Sequence, residues 1–407
     1  MKLLPLSEAL RKLEPVRIPL NTEEVNLLQS LGRILAEDVT SSIDLPPFDK
    51  SSRDGYAVKA KDTFTASELN PVKLRLKGLV KVGEVPKFLV SDGECAYVPT
   101  GAPIPEGCDS VVMIEDTLRE DEYVYVYKPI PPRSNVVRSG FDIPRGSKVL
   151  ERGTMLGVKE ISLLASIGCD KVKVYNIKAS VISTGPELVA VGLPLGEGKI
   201  YDVNSYMISA YLEKIGLHSE ILGIADDSVK DLQHNIAQAL KKSDIVFVSG
   251  GTSKGESDVL YQTLSEMLNQ EEGEILFHGL ALKPGKPTLT AIINGKPVFG
   301  LPGNPTSAFT VLEVLIKPWL FNVILKVPLK ELKLKAKLTR KLVSFEGKRE
   351  IVYVALLTSN SELLAHPILK GSESVTTFAE ADGYIEIPED VNFIEEGEVV
   401  EVKLLNI

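Results

Sequence analysis

The sequence predicts a multidomain α/β protein. A central doubly wound, mostly parallel βαβ domain is accompanied by an all-β insert domain, a helical N-terminal and linker domain, and a C-terminal β-barrel-like domain. Three observations predict this. Residues 176–326 alternate apolar strand-like runs with helix-period segments, the pattern of a parallel sheet covered by helices. Residues 46–135 hold short strand-like runs separated by glycine and proline turns. After Lys326 apolar and charged residues alternate, as in LKLKAKLTRKL (332–342), which suits half-buried strands.

Residues 1–45 read as helices. SEALRKL and TEEVNLLQSLGRILAEDV space apolar residues at three and four, with Ser7 and Thr22 as caps, and IDLPPFD breaks the pattern. Residues 46–135 supply the strands GYAVKA, VKLRLKGLV, CAYVPTG, SVVMIED and YVYVYK, and KPIPPRSN (128–135) is a proline-rich connector. VKEISLLASIG is a further helix, so residues 136–175 join residues 1–45 in one discontinuous domain. In residues 176–326 the strands ASVIST, SEILGIA and DIVFVSG alternate with the helices SYMISAYLEKIG, VKDLQHNIAQALKK and VLYQTLSEML. Right-handed crossovers then place the loops after the strands on one edge, among them Asp226–Asp227 and the SGG turn. Residues 327–407 continue with REIVYVALL, DGYIEIP and EVVEVKLL, an all-β barrel or sandwich.

At 407 residues the chain exceeds one ordinary domain, and two to four are expected. A mean hydropathy of +0.07 and the lack of a long uncharged apolar run argue against a membrane span. Pro5, Glu8, Arg11 and Lys12 interrupt the N-terminal apolar residues too early for a signal peptide. Three cysteines, Cys95, Cys108 and Cys169, form no CxxC, which suits a reducing cytoplasm and argues against a cysteine zinc site. Four scattered histidines argue against a histidine metal site. A net charge of −9 disfavours general nucleic-acid binding. An anionic ligand would need local positive charge.

Residues 245–308 supply it. They carry three glycine-rich turns, IVFVSGGTSKGESD, ALKPGKPTLTAII and PVFGLPGNPTSA. Gly250 and Gly251, between Ser249 and Thr252, let backbone N–H groups approach a ligand. Asn304 before Pro305 reads as a helix N-cap and first-turn proline, and such a helix start attracts anions. Lys283 and Lys286 add two positive charges in a proline-stiffened loop, and Glu256 and Asp258 offer oxygens to a hard cation. Together they suggest a site for a phosphorylated ligand with a metal ion. Each feature also has a purely structural reading: a tight turn, two solvated lysines, and acids that cap helices, as Asp226 or Asp227 could.

SGGTSKGESD, KPGKP and GLPGNPTSA resemble the MoeA and gephyrin E-domain family, the molybdopterin molybdotransferases. SSRDGYAV (51–58), PTGAPIPEGCDSVVMIED (99–116), STGPEL (183–188) and KIYDVNS (199–205) are similar to the same family in the same order, and GSESVTTFAEADGY (371–384) matches more loosely. The resemblance implies transfer of molybdate or tungstate into adenylylated molybdopterin with release of AMP and help from Mg²⁺. It implies that Ser249, Gly250, Gly251, Thr252, Pro302 and Pro305 hold the pterin phosphate, that Lys283 and Lys286 face the oxyanion, and that Arg349 and Ser372 add oxyanion contacts. Glu187, Asp226, Asp227 and Asp258 are the implied metal and cleavage carboxylates, with Asp202 in the same set. Asp54, Thr100 and Asp142 are implied to reach the site from the partner subunit of a homodimer. Four positions depart from the family pattern: Pro186 in STGPEL, Gly279 where a lysine is sometimes found, Arg53 for the usual Met, and Phe141. The molybdopterin adenylyltransferase, which shares the βαβ domain and is also a possible partner, is the alternative activity. A non-catalytic scaffold is the other.

Overall fold

The computed structural model describes residues 3–251, 258–329, 331–344, 346–359 and 361–405. The chain divides into two compact units. The first comprises residues 1–25, 29–36 and 172–407, and the second residues 26–28 and 37–171.

In the first unit the expected alternation appears in order. Strand β1 (Lys178–Thr184) is followed by α1 (Asn204–Lys214), β2 (His218–Ala225), α2 (Val229–Lys242), β3 (Ile245–Ser249), α3 (Val259–Met267) and β4 (Gly273–His278). A two-residue strand β5 (Leu282–Lys283) then precedes β6 (Leu289–Ile293) and β7 (Lys296–Leu301). The sheet order is β2-β1-β3-β7-β6-β4. The first four strands are mutually parallel, and β6 runs antiparallel to both its neighbours.

Strand β3, IVFVS, is buried along its whole length. Alternate residues serve two cores: Phe247 packs with Phe299 and Trp319 on one face, and Val246 and Val248 pack with Leu232, Ile236 and Leu264 on the other. Burial on both faces explains why the run is continuously apolar. Each such side chain contributes roughly 1.5–3 kcal/mol by leaving water.

The helix that starts at Pro305 runs to Leu325, 21 residues. By length and apolar composition it could cross a membrane, contrary to the expectation from sequence, but 78% of its most apolar stretch is buried inside the protein. Its two charges pair with each other, Lys317 Nζ to Glu313 Oε1 at 2.6 Å. Wider π-type turns over Leu312–Ile316 and Trp319–Leu325 flank Pro318, which has no N–H to give to a regular helix. Lys326 ends the helix in the left-handed conformation, φ +56°.

The C-terminal region is a closed barrel of five strands: β8 (Lys333–Leu338), β9 (Arg349–Ser359), β10 (Glu362–Pro367), β11 (Gly383–Ile387) and β12 (Val399–Leu404). Closure comes from β9 pairing with both β10 and β11. Short β5 joins β9 in parallel, attaching the KPGKP turn to the barrel wall.

The N-terminal expectation is only half right. Leu6–Leu13 is a helix, and Leu6, Ala9 and Leu13 are buried in the core that holds Phe247. Its N-cap is Pro5, so Ser7 lies inside the helix. Thr22–Asn26 is a strand and Leu27–Ser30 a single 3₁₀ turn. The leucines that suggested a helical face are in part exposed, Leu28 at 81% and Leu31 at 58%. Every second residue of TEEVN is half-buried, so period two won over period 3.6.

In the second unit a six-stranded mixed sheet contains the five expected strands plus Thr117–Glu120. Val136–Val137 pairs with Lys50–Ser51, and Lys148–Leu150 with Val39–Thr40, so residues 37–51 and 136–150 are stitched together across the insert.

Candidate functional site

Parallel β1, β2, β3 and β7 end on one rim of the sheet. The turns that follow them supply Gly185–Glu187, Asp227, Gly250–Gly251 and Pro302–Gly303 to one cleft of about 800 Å³. The same cleft is lined by Lys283 to Pro287, by Lys348 and Glu350 to Tyr353 of the barrel region, and by Gly371–Ser372. A cleft at the carboxyl ends of parallel strands is where open α/β sheets bind ligands.

The glycines are required by space. Gly250 has φ +95°, and a Cβ there would sit 2.1 Å from the Thr184 carbonyl oxygen. Gly285 has φ +125°, and its Cβ would meet Leu282 Cδ2 at 2.8 Å. Gly279, one of the departures from the family pattern, has φ +97°, where a lysine would be strained.

Ser249 is buried, and its Oγ accepts from Asn204 Nδ2 at 2.8 Å. Asn204 also donates to the Gly303 carbonyl at 2.7 Å. Asn304 is the N-cap residue and Pro305 the first helical residue, as expected, but the Asn304 side chain does not cap. It donates to Ser372 Oγ at 2.8 Å, and Thr306 Oγ1 donates to the Ser372 carbonyl at 2.5 Å. Ser372 is thus clamped to the helix start. Thr252 and Glu256 lie outside the described residues.

Among the carboxylates, Glu187 and Asp227 line the cleft. Asp227 Oδ1 lies 3.5 Å from Thr184 Oγ1. Asp226 does not line it; its N–H donates to Asp231 Oδ2, and Ser228, not an aspartate, caps α2. Asp202 is buried and accepts from the Ser205 N–H at 3.1 Å. Asp258 caps α3 through the Tyr261 N–H at 3.0 Å, and its Oδ2 lies 2.9 Å from His278 Nε2. Burial raises the Asp258 carboxyl above its ordinary value, against the lowering effects of the Tyr261 N–H and His278. Among the described residues no three acidic, His or Cys side chains form a metal cluster. The expected four-carboxylate set is therefore not assembled. The pair Glu187 and Asp227 remains, and it fits Mg²⁺, which takes one or two carboxylates plus phosphate oxygens and water.

On the oxyanion side Lys283 and Lys286 both line the cleft. Lys283 Nζ is 2.8 Å from Glu350 Oε1. Arg349 is turned away: its guanidinium pairs with Glu386 at 2.7 Å and Glu389 at 3.1 Å. Those two acids hold its guanidinium, while Lys348 and Glu350 on either side of it line the cleft. Lys348 stands where sequence reasoning put Arg349. No local spacing marked that exchange or the place of Glu350, and Asn204 lay in KIYDVNS without a role of its own.

Asp54, Thr100 and Asp142 belong to the second unit. There the Thr100 N–H donates to Asp54 Oδ1 at 2.7 Å, and Asp142 is exposed, its N–H bonded to the Leu45 carbonyl. Phe141 beside it is also exposed.

Three family descriptions match the chain: "MoeA N-terminal region (domain I and II)" over residues 4–168, "Probable molybdopterin binding domain" over 180–322, and "MoeA C-terminal region (domain IV)" over 335–405. Solved MoeA structures from Pyrococcus horikoshii are 42% and 33% identical, each with a TM-score of 0.83. They cover 99% of this chain, which spans 99% and 100% of theirs. The molybdopterin molybdenumtransferase of Haemophilus influenzae is 37% identical over 78% of this chain and 76% of its own length. That of Staphylococcus aureus is 35% identical over 77% and 74%.

Proposed function

The chain belongs to the MoeA family of molybdopterin molybdotransferases, and we propose that its cleft joins molybdate or tungstate to adenylylated molybdopterin with release of AMP. It is a transferase of molybdopterin biosynthesis. The observation that carries the finer reading is one cleft lined both by backbone turns and by Lys283, Lys286 and Lys348. The turns at Gly185, Gly250–Gly251 and Gly303 offer close backbone approach to a pterin phosphate and its pyrophosphate. The lysines offer charge to a tetrahedral dianion. Glu187 and Asp227 would hold Mg²⁺, which when bound neutralises charge on the phosphates. Water cleaves the pyrophosphate and frees AMP, and the dithiolene thiols displace oxyanion oxygen, which leaves as water with the thiol protons.

Asp54 and Thr100 complete the site from a second copy of the chain in a reciprocal homodimer, an isologous arrangement. The enzyme acts in the cytoplasm, and the adenylyltransferase that makes its substrate is a partner. The adenylyltransferase activity itself is not favoured for this chain, since matched regions flank the central domain on both sides. AMP release from adenylylated molybdopterin, measured with and without molybdate, tests the proposal. Turnover of unmodified molybdopterin with ATP instead would reject it.

A further inference from the structure

We propose that Glu350 is a positioning residue that aims the Lys283 ammonium at the oxyanion, resting on the reading of the KPGKP turn as the oxyanion side of the cleft. Backbone pairing sets the geometry. Strand β5 lies parallel to β9, with Lys283 in register with Glu350. The resulting ion pair is 2.8 Å long, with the Glu350 side chain 12% exposed and that of Lys283 44%. The second carboxylate oxygen, Oε2, accepts from Ser344 Oγ at 2.9 Å. The acid is therefore the fixed, more buried partner, and the lysine is the outer one.

A carboxylate in an anion site is otherwise a poor choice, because it repels the ligand. Its advantage is orientation. A lysine is a point charge on a flexible four-carbon stem, and binding must order that stem. Anchoring the ammonium beforehand removes that cost from the binding step. An ammonium carries three donors, so holding one on Glu350 is compatible with donating to a ligand. Exposure of the lysine screens the repulsion between Glu350 and the oxyanion, so the loss of orientation outweighs the relief of charge.

The test is the kinetics of AMP release by the full-length enzyme as molybdate is varied. Glu350→Ala raises KM for molybdate by about tenfold or more, with kcat at saturating molybdate nearly kept. Glu350→Gln keeps an acceptor for Lys283 and stays within about threefold of wild type. Lys283→Ala raises KM as Glu350→Ala does, and the double variant adds little, because the two act as one unit. Ser344→Ala, which loosens only Oε2, gives an intermediate KM and serves if Glu350→Ala does not fold. An unchanged or lowered KM in Glu350→Ala, with Lys283→Ala impaired, overturns the positioning role and makes the acid a bystander or a repelling charge. A wild-type enzyme indifferent to molybdate, or a silent Lys283→Ala, overturns the oxyanion reading itself and this role with it.

Discussion

Asn204 donates its side-chain amide to the Gly303 carbonyl at 2.7 Å while the same nitrogen reaches Ser249 Oγ at 2.8 Å. One side chain, 7% exposed as a residue, thus ties the end of β3 to the turn after β7.

Asn204→Ala leaves the buried Ser249 Oγ without this donor, a loss of about 1–3 kcal/mol. We expect a lowered unfolding midpoint in urea together with weaker binding of adenylylated molybdopterin, because the end of β3 and the turn after β7 lose their common anchor. Calorimetry of pterin binding beside a denaturation curve reads both. Unchanged affinity in a destabilised variant would make Asn204 structural only.

Arg349 serves the barrel, not the ligand. Arg349→Ala leaves Glu386 and Glu389 half-buried without this cation, and breaking such a pair costs stability. The expected outcome is a lower melting temperature with molybdate KM unchanged. The pH dependence follows from Glu386. Burial raises its carboxyl, but Lys403 and Arg349 outweigh that and hold it below its ordinary value. A lowered folded-state pKa gives stability that is present above the unfolded pKa and lost as pH falls through the folded one. Acid unfolding in this low-pH range is therefore shallower in Glu386→Gln than in wild type. A molybdate KM raised tenfold in Arg349→Ala would return this residue to the oxyanion site.

The carboxylates separate by location. Glu187→Gln and Asp227→Asn alter the cleft, and each lowers Mg²⁺ affinity by about tenfold or more, since even outer-shell partners are worth that much. Asp258→Asn keeps the α3 cap, because Asn caps about as well as Asp. Burial disfavours the ionised Asp258, so a neutral isostere costs no stability at pH 7 on that account. Its unfolding midpoint and Mg²⁺ affinity stay near wild type. Titration of Mg²⁺ or Mn²⁺ by calorimetry in the presence of AMP ranks the three, and a larger loss in Asp258→Asn than in Asp227→Asn would reverse the assignment.

Shared sites complement. If Asp54 acts across a homodimer, Asp54→Ala and Asp227→Ala are each nearly inactive alone. Mixed after dissociation and reassociation, they regain up to about a quarter of wild-type activity, since a hybrid dimer holds one intact site and half the dimers are hybrids. Sedimentation is then expected to show a dimer at micromolar concentration. A fully active monomer, or mixtures as inactive as their parents, would leave Asp54 in a structural role, holding the Thr100 N–H.

The sequence by itself determined the order of elements through the βαβ region and the rim they form. IVFVS could only be a strand covered on both faces, and the short glycine turns after Thr184, Ser249 and Leu301 had to share an edge once their strands were parallel. Backbone pattern carries that information locally, through apolar period and through glycines that φ or space requires. Tertiary structure decided which side chains face the cleft. Asp258 looked like a ligand until His278 and the Tyr261 N–H took its oxygens. Arg349 looked like an oxyanion contact until Glu386 and Glu389, nearly forty residues later, claimed it. Glu350 gave no signal at all, because its role comes from strand β5 crossing to the barrel. Charge pairing between distant segments depends on register across a closed sheet, and no local spacing records that.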